Sequence, residues 1–308
     1  VIRLGIIGAA GSCFLERYLS LFGQLQGKVQ IVAVYDSVLV HASQVASYFE
    51  AEVSCSFQRL VDRPDIHGLL MLSSVWPGEL PVSAAMLRNK PLFCSHAVWK
   101  SFRQKKDLER LYQETGATVV VESECRYWPS ILRARELQAT QLGQPCELIW
   151  QLPTHSYCDD EAQKKKISSI LDGLCFLLQR NHIQQENSNS PRFLFEKHSN
   201  DANDSIPVSI RLLQEGESTG FLLKMRCERG SIEINSATEL NWQSGGESYQ
   251  NLLKGEQSAM ARQIDHFCRH VSGGLIPLHD ITNALWNDRQ TKWIQKHLVE
   301  YCSDKARE

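Results

Sequence analysis

Residues 2–11, "IRLGIIGAAG", carry a short apolar strand straight into a glycine turn, and residues 31–38, "IVAVYDSV", end a second strand on an acid. A strand, a glycine turn and a helix leave backbone N–H groups and the positive end of a helix dipole where a pyrophosphate can sit. The dinucleotide fingerprint G-x-G-x-x-G falls on Gly8, Ala10 and Cys13. The tight-turn glycine is kept, a methyl stands where the main chain must approach the phosphates, and Gly11 offers a displaced register. Asp36 lies where an acid accepts the ribose hydroxyls of NAD and repels the 2′-phosphate of NADP. Two readings stand for this stretch: a nucleotide site, or a tight turn in which Asp36 only caps the next helix.

Outward from this turn, apolar β-branched runs at 2–7, 29–35, 68–72, 91–94 and 118–122 alternate with helical patterns. That rhythm predicts a doubly wound parallel sheet, a Rossmann domain over residues 1–122. From Trp128 the rhythm changes. "PSILRARELQATQLG" (129–143) reads as a helix with proline in its first turn and glycine at its end. Strands then crowd together at 147–152, 193–197, 208–213, 221–226 and 231–235, and two amphipathic helices close the chain. The second domain, 123–308, is therefore expected to be α/β with a mixed open sheet.

A chain of 308 residues fits two domains, and 43% hydrophobic with 22% charged residues fits a globular protein. The formal charge of −2 supplies no broad basic field, so nucleic acid is not an expected partner. No apolar run approaches the roughly 20 residues needed to span a bilayer, and no leader pattern precedes the first strand. No membrane association and a cytoplasmic location are the expectations. The ten cysteines are scattered singly without a CxxC pair. They read as packed thiols, and Cys94, His96 and Cys125 are too few for a metal site.

At "RNKPLFCSHAVWK" (88–100), with "FQRLVDRPDIHGLLML" (57–72) before it and "ESECRYWPS" (122–130) after it, the order of parts resembles the Gfo/Idh/MocA oxidoreductases, named after glucose-fructose oxidoreductase and inositol dehydrogenase. The resemblance implies a Rossmann domain joined to a C-terminal domain with a large open sheet. It also exposes departures. Where the family usually has Glu-Lys-Pro, with the lysine managing a proton as hydride moves, this chain has Ser95-His96-Ala97. Where the family often has Thr-Pro-Asn-x-x-His, it has "LSSVWPGE" (72–79), keeping Ser73 and Ser74 as hydroxyl partners for a cofactor and adding Trp76 as a stacking or covering ring. The family's Asp-x-Gly-x-His helix becomes "SSILDGLCFLLQ" (168–179), placing Leu171 and Cys175 at the two polar positions. Asp172 is one residue out of register, which on a helix is a turn of about 100°. Arg126 and Pro129 survive and fit a structural hinge or an anion-binding arginine.

The resemblance implies an NAD-binding oxidoreductase acting on a sugar, cyclitol or related polyol, with Gly8, Ala10, Gly11, Asp36, Ser73 and Ser95 at the cofactor and His96 as catalytic acid or base. The alternative is a catalytically degenerate protein that binds a nucleotide or metabolite on the same scaffold. Apolar runs such as "IPVSIRLL" (206–213) would leave a sheet face in need of cover, so a homo-oligomer, most simply a dimer, is expected.

Overall fold

Two sheets, each with its own apolar core, organise the chain in the computed structural model, which describes residues 1–9, 18, 20–74, 76, 78–153, 161–186, 191–196, 205–213, 222–275 and 279–305. The first compact unit comprises Val1–Glu122 and Met260–Leu285, the second Ser123–Ala259 and Trp286–Glu308.

In the first unit six strands, β1 (Ile2–Ile7), β2 (Val29–Tyr35), β3 (Glu52–Val53), β4 (Gly68–Met71), β5 (Leu92–Cys94) and β6 (Val119–Val121), lie in the order β3-β2-β1-β4-β5-β6. Every neighbouring pair is parallel. Helices α1 (Leu39–Phe49), α2 (Phe57–Asp62), α3 (Leu80–Leu87), α4 (His96–Ser101) and α5 (Lys105–Thr115) follow in the connections. Period-two alternation sends Leu4, Ile6, Leu70, Phe93 and Val120 into one core and Ile7, Leu69, Met71, Leu92 and Val121 into the other.

A sheet with both faces apolar must be covered on both. The sequence closes this domain at residue 122, but the sheet also takes back Met260–Leu285. Met260, Ile264, Phe267 and Cys268 fill the first core, and Ile281, Ala284 and Leu285 the second. The fit is close. A Cβ at Gly68 would stand 3.1 Å from the Phe267 ring. Residues 279 and 280 also satisfy the β6 edge, where Val121 N–H donates to His279 O at 2.8 Å.

In the second unit eight strands run β14-β13-β12-β11-β7-β10-β9-β8, from β7 (Pro145–Pro153) through β8 (His182–Gln185), β9 (Arg192–Glu196), β10 (Ile206–Leu213), β11 (Leu223–Cys227), β12 (Gly230–Ser236) and β13 (Glu239–Ser244) to β14 (Glu247–Leu252). Only β7 and β10 pair in parallel, so the sheet is mixed. Helices α6 (Pro129–Leu137) and α7 (Glu161–Leu178) share one core with the sheet and with Ile294 and Leu298. Those last two residues lie on the closing helix α9 (Ile281–Lys305), which follows α8 (Ala259–Val271).

The expectation of an exposed apolar sheet face needs correcting. Ile206, Val208, Ile210, Leu223 and Met225 all point into the core. The intervening positions are Pro207 and Ser209 on β10 and charged residues on β11, with Lys224 paired to Glu233 at 2.6 Å and Arg226 to Glu147 at 3.6 Å. Among the described residues no helix is long and apolar enough to cross a membrane.

Candidate functional site

The strand order of the first sheet reverses between β1 and β4, and ligands of open α/β sheets bind in the crevice at such a switch point. Gly8 ends β1 there with φ +80°, and a Cβ on it would overlap the main chain of Ser73. Only glycine fits this combination of left-handed backbone and close approach. The Gly8 N–H donates to Tyr35 O at 2.8 Å, tying the turn to the end of β2. Ala10 and Gly11 lie outside the described residues.

Asp36 stands one residue past β2 with a side chain only 3% exposed. Its Oδ2 accepts the Ala9 N–H at 2.6 Å, and its Oδ1 accepts the Val38 N–H at 2.8 Å. One carboxylate therefore fastens the glycine turn and the start of the next helix together. A carboxylate has about four lone-pair sites, so two remain for further donors. His41 Nδ1 lies 3.7 Å from Oδ1. Val38 and Leu39, 48% and 67% exposed, and Trp76, 86% exposed, leave apolar surface beside the crevice. Trp76 N–H donates to Ser37 Oγ at 3.2 Å, which keeps the two segments together.

The remaining sequence-chosen residues have mixed placements. Ser73 is partly exposed at the lip of the turn. Ser95 is buried and caps α4, with its Oγ donating to Leu72 O at 3.0 Å and accepting the Val98 N–H at 3.4 Å. His96 begins α4, is 8% exposed, and donates its backbone N–H to Glu122 Oε2 at 2.8 Å. Sequence reasoning placed Glu122 in a strand and missed its carboxylate; an acid ending an apolar strand was the available signal. Burial, then the charge of Glu122, push the Cys94 thiol well above the ordinary range, so it is a neutral packing group. The described cysteines are free thiols. Among the described residues no cluster of His, Cys, Asp or Glu is placed to hold a metal.

In the second unit, the two positions of α7 where the resemblance implies an acid and an imidazole are Leu171 and Cys175. Leu171 is fully buried in the core. Cys175 is half-buried, and burial followed by the charge of Asp172 holds its thiol well above the ordinary range. Asp172 is 4% exposed and grips Arg126, which donates from Nε to Oδ2 at 2.8 Å and from Nη2 to Oδ1 at 2.5 Å. Ser123 Oγ donates to the same carboxylate. Gly173 makes the approach possible, because a Cβ there would overlap Cys125 Sγ. The hinge reading of Arg126 thus acquires a partner, and the out-of-register aspartate is a structural acid.

Residues 2–123 match the Gfo/Idh/MocA family, described as an oxidoreductase family with an NAD-binding Rossmann fold. The Rossmann unit belongs to that family. Solved structures share the fold over nearly the whole chain. A protein of Sinorhizobium meliloti provisionally assigned as a myo-inositol dehydrogenase superposes with a TM-score of 0.68 at 13% identity, covering 97% of this chain and 98% of its own. The transcriptional regulator Gal80p of Kluyveromyces lactis gives 0.71 at 14%, covering 97% and 92%. An oxidoreductase of Agrobacterium radiobacter, solved with NAD+, L-tartaric acid and magnesium, gives 0.69 at 14%, covering 94% of each chain. At such identities the likeness is one of fold. Among curated proteins none matches this chain in sequence.

Proposed function

We propose that the protein binds NAD(H) at the switch-point crevice of its Rossmann unit and acts as a nucleotide-binding Gfo/Idh/MocA protein with little dehydrogenase turnover. The observation that carries this reading is the state of α7. Leu171 and Cys175 occupy the family's two polar positions, and Asp172 is consumed by Arg126 and Ser123. General acid–base catalysis is worth about 10²- to 10⁴-fold, and its loss leaves binding untouched. The regulator Gal80p illustrates that the fold serves purposes other than oxidation.

Binding needs different atoms. Gly8 lets the main chain come close to a pyrophosphate, Ser73 offers a hydroxyl at the lip, and the exposed faces of Val38 and Leu39 suit an apolar ring. Asp36 fixes the turn through Ala9 and keeps a negative charge at the end of β2, which disfavours the extra phosphate of NADP. When bound, the nicotinamide supplies a hydride donor or acceptor. Calorimetric titration of NAD into the protein tests the reading. Saturable binding that Gly8→Ala weakens is expected, and no heat of binding at millimolar NAD would contradict it.

A second reading is favoured by His96, a residue with an imidazole at the family's lysine position whose backbone N–H binds the buried carboxylate of Glu122. On that reading the protein oxidises a sugar, cyclitol or related polyol, as the S. meliloti neighbour's name suggests, with His96 holding the alcohol proton. Turnover of such a panel that His96→Ala abolishes would establish it. The charged outer face of the second sheet is also proposed to pack on another copy of the chain, and sedimentation at micromolar concentration showing only monomer would remove that proposal.

A further inference from the structure

Phe176 lies one helical turn beyond Asp172 on α7, where i and i+4 side chains share a face. Two guanidiniums sit over its ring. The Arg135 guanidinium carbon is 4.2 Å from the ring centroid and that of Arg126 is 5.5 Å away. Arg126 spends Nε and Nη2 on Asp172, and among the described residues Nη1 has no hydrogen-bond partner. Arg135 is half-buried on α6 and hydrogen-bonds to no carboxylate among the described residues. The acid beside it in sequence, Glu136, is paired with Arg133 at 2.8 Å. The cluster therefore holds two fixed positive charges against one negative charge. Burial first, and then the charge of Arg126, weaken the hold of Arg135 on its proton, as expected for a cation lacking a counter-ion.

Half-burying a guanidinium beside another one costs free energy unless something repays it. The ring contact is a partial return, because a cation over an aromatic face is attracted at roughly 0.5–1 kcal/mol when exposed. That contact places the guanidinium carbon over the ring and requires none of its N–H groups to find an acceptor. Edge donors of arginine match the paired oxygens of a carboxylate or phosphate. We propose that Arg135, with Nη1 of Arg126, forms an oxyanion-binding site on the second unit that accepts the carboxylate or phosphate group of a small ligand. Asp172 is the positioning residue, holding Arg126 by two bonds with its guanidinium carbon 5.5 Å from the shared ring. The site goes beyond the nucleotide reading and does not depend on it.

The test uses the full chain without nucleotide, titrated calorimetrically with inorganic phosphate and separately with malonate at constant ionic strength balanced by chloride. Saturable binding of at least one probe is expected, and the tighter probe identifies whether the natural group is a phosphate or a carboxylate. Arg135→Gln should weaken it at least tenfold, and Arg135→Lys, which keeps charge but loses the fork, should weaken it less. Thermal melting and far-UV circular dichroism of all three proteins should coincide within a few degrees, which reports that the variants are folded. Binding no better than chloride, or equal affinity in Arg135→Gln, would overturn the proposal and leave Arg135 as packing for Phe176.

Discussion

The crevice end of the first sheet and the Leu171–Phe176 stretch of α7 have departed from the Gfo/Idh/MocA pattern in opposite ways. At the crevice the side chains changed, with His96 for the family's lysine and no histidine following Ser73 and Ser74, while the main-chain arrangement stayed. Gly8 still turns with positive φ against Ser73, and Asp36 still closes β2. On α7 the positions that the resemblance assigns to an acid and an imidazole hold Leu171 and Cys175, and the neighbouring Asp172 is taken up in a buried ion pair with Arg126. On the proposed reading, nucleotide binding, done largely by backbone, tolerates the first kind of change, and proton transfer, done by side chains at fixed angles, does not survive the second.

Breaking the α7 side should have the largest effect on stability and none on nucleotide. Asp172→Ala leaves the Arg126 guanidinium buried and alone, and removing one partner of a buried pair costs about 3–5 kcal/mol. Chemical denaturation should show that loss, whereas NAD affinity, measured where the variant is folded, should be unchanged. A matching loss of NAD affinity would mean that the two regions are coupled and the contrast is false. Gly8→Ala should do the reverse. Forcing a Cβ into the left-handed region costs about 1–3 kcal/mol, and the displaced turn should lower NAD affinity by about tenfold or more in a calorimetric titration. Affinity equal to wild type would mean that the pyrophosphate does not meet this turn.

The fold was legible because burial writes it into the sequence. The runs 2–7 and 29–35 match β1 and β2 residue for residue, since both faces of a parallel strand must be apolar. β14, "ESYQNL", was missed because an edge of an antiparallel sheet can be polar on both faces and leaves no period to read, and β13, "ELNWQS", because its alternation rests on Leu240 and Trp242 alone. The return of Phe267 to the first sheet was hidden for another reason, since contact over such a separation has no local mark. At the crevice, the spacing of the sequence singles out Gly8 and Asp36 but gives no sign of the two backbone N–H groups that Asp36 holds. The role of Gly173 also needed the structure, because only there does Cys125 stand against it.

A smaller effect sharpens the crevice side. Asp36→Asn keeps an acceptor for one of the two N–H groups and removes the charge. The ratio of NAD to NADP affinity should fall several-fold, and an unchanged ratio in competition binding would show that Asp36 does not face the ribose. The smallest effect concerns the surface of the first unit. The Arg63 guanidinium hydrogen-bonds Asp65 and, with the Arg3 charge, holds its carboxyl down at about 2. That carboxyl is bound to fewer protons in the folded state, so its contribution is complete above pH ~4 and is lost as pH falls toward 2. Asp65 is partly exposed, and screening limits the contribution to below about 1 kcal/mol. Melting curves across this window should fall less steeply in Asp65→Asn.

The contrast between retained binding and lost chemistry is tested most directly by one protein sample measured twice, first for NAD and NADH affinity and then for nicotinamide absorbance change with inositols, aldoses and their oxidised forms. Saturable nucleotide binding with turnover at least a hundredfold below ordinary dehydrogenase rates is the predicted result. Robust turnover lost in His96→Ala would contradict it and make His96 the proton carrier.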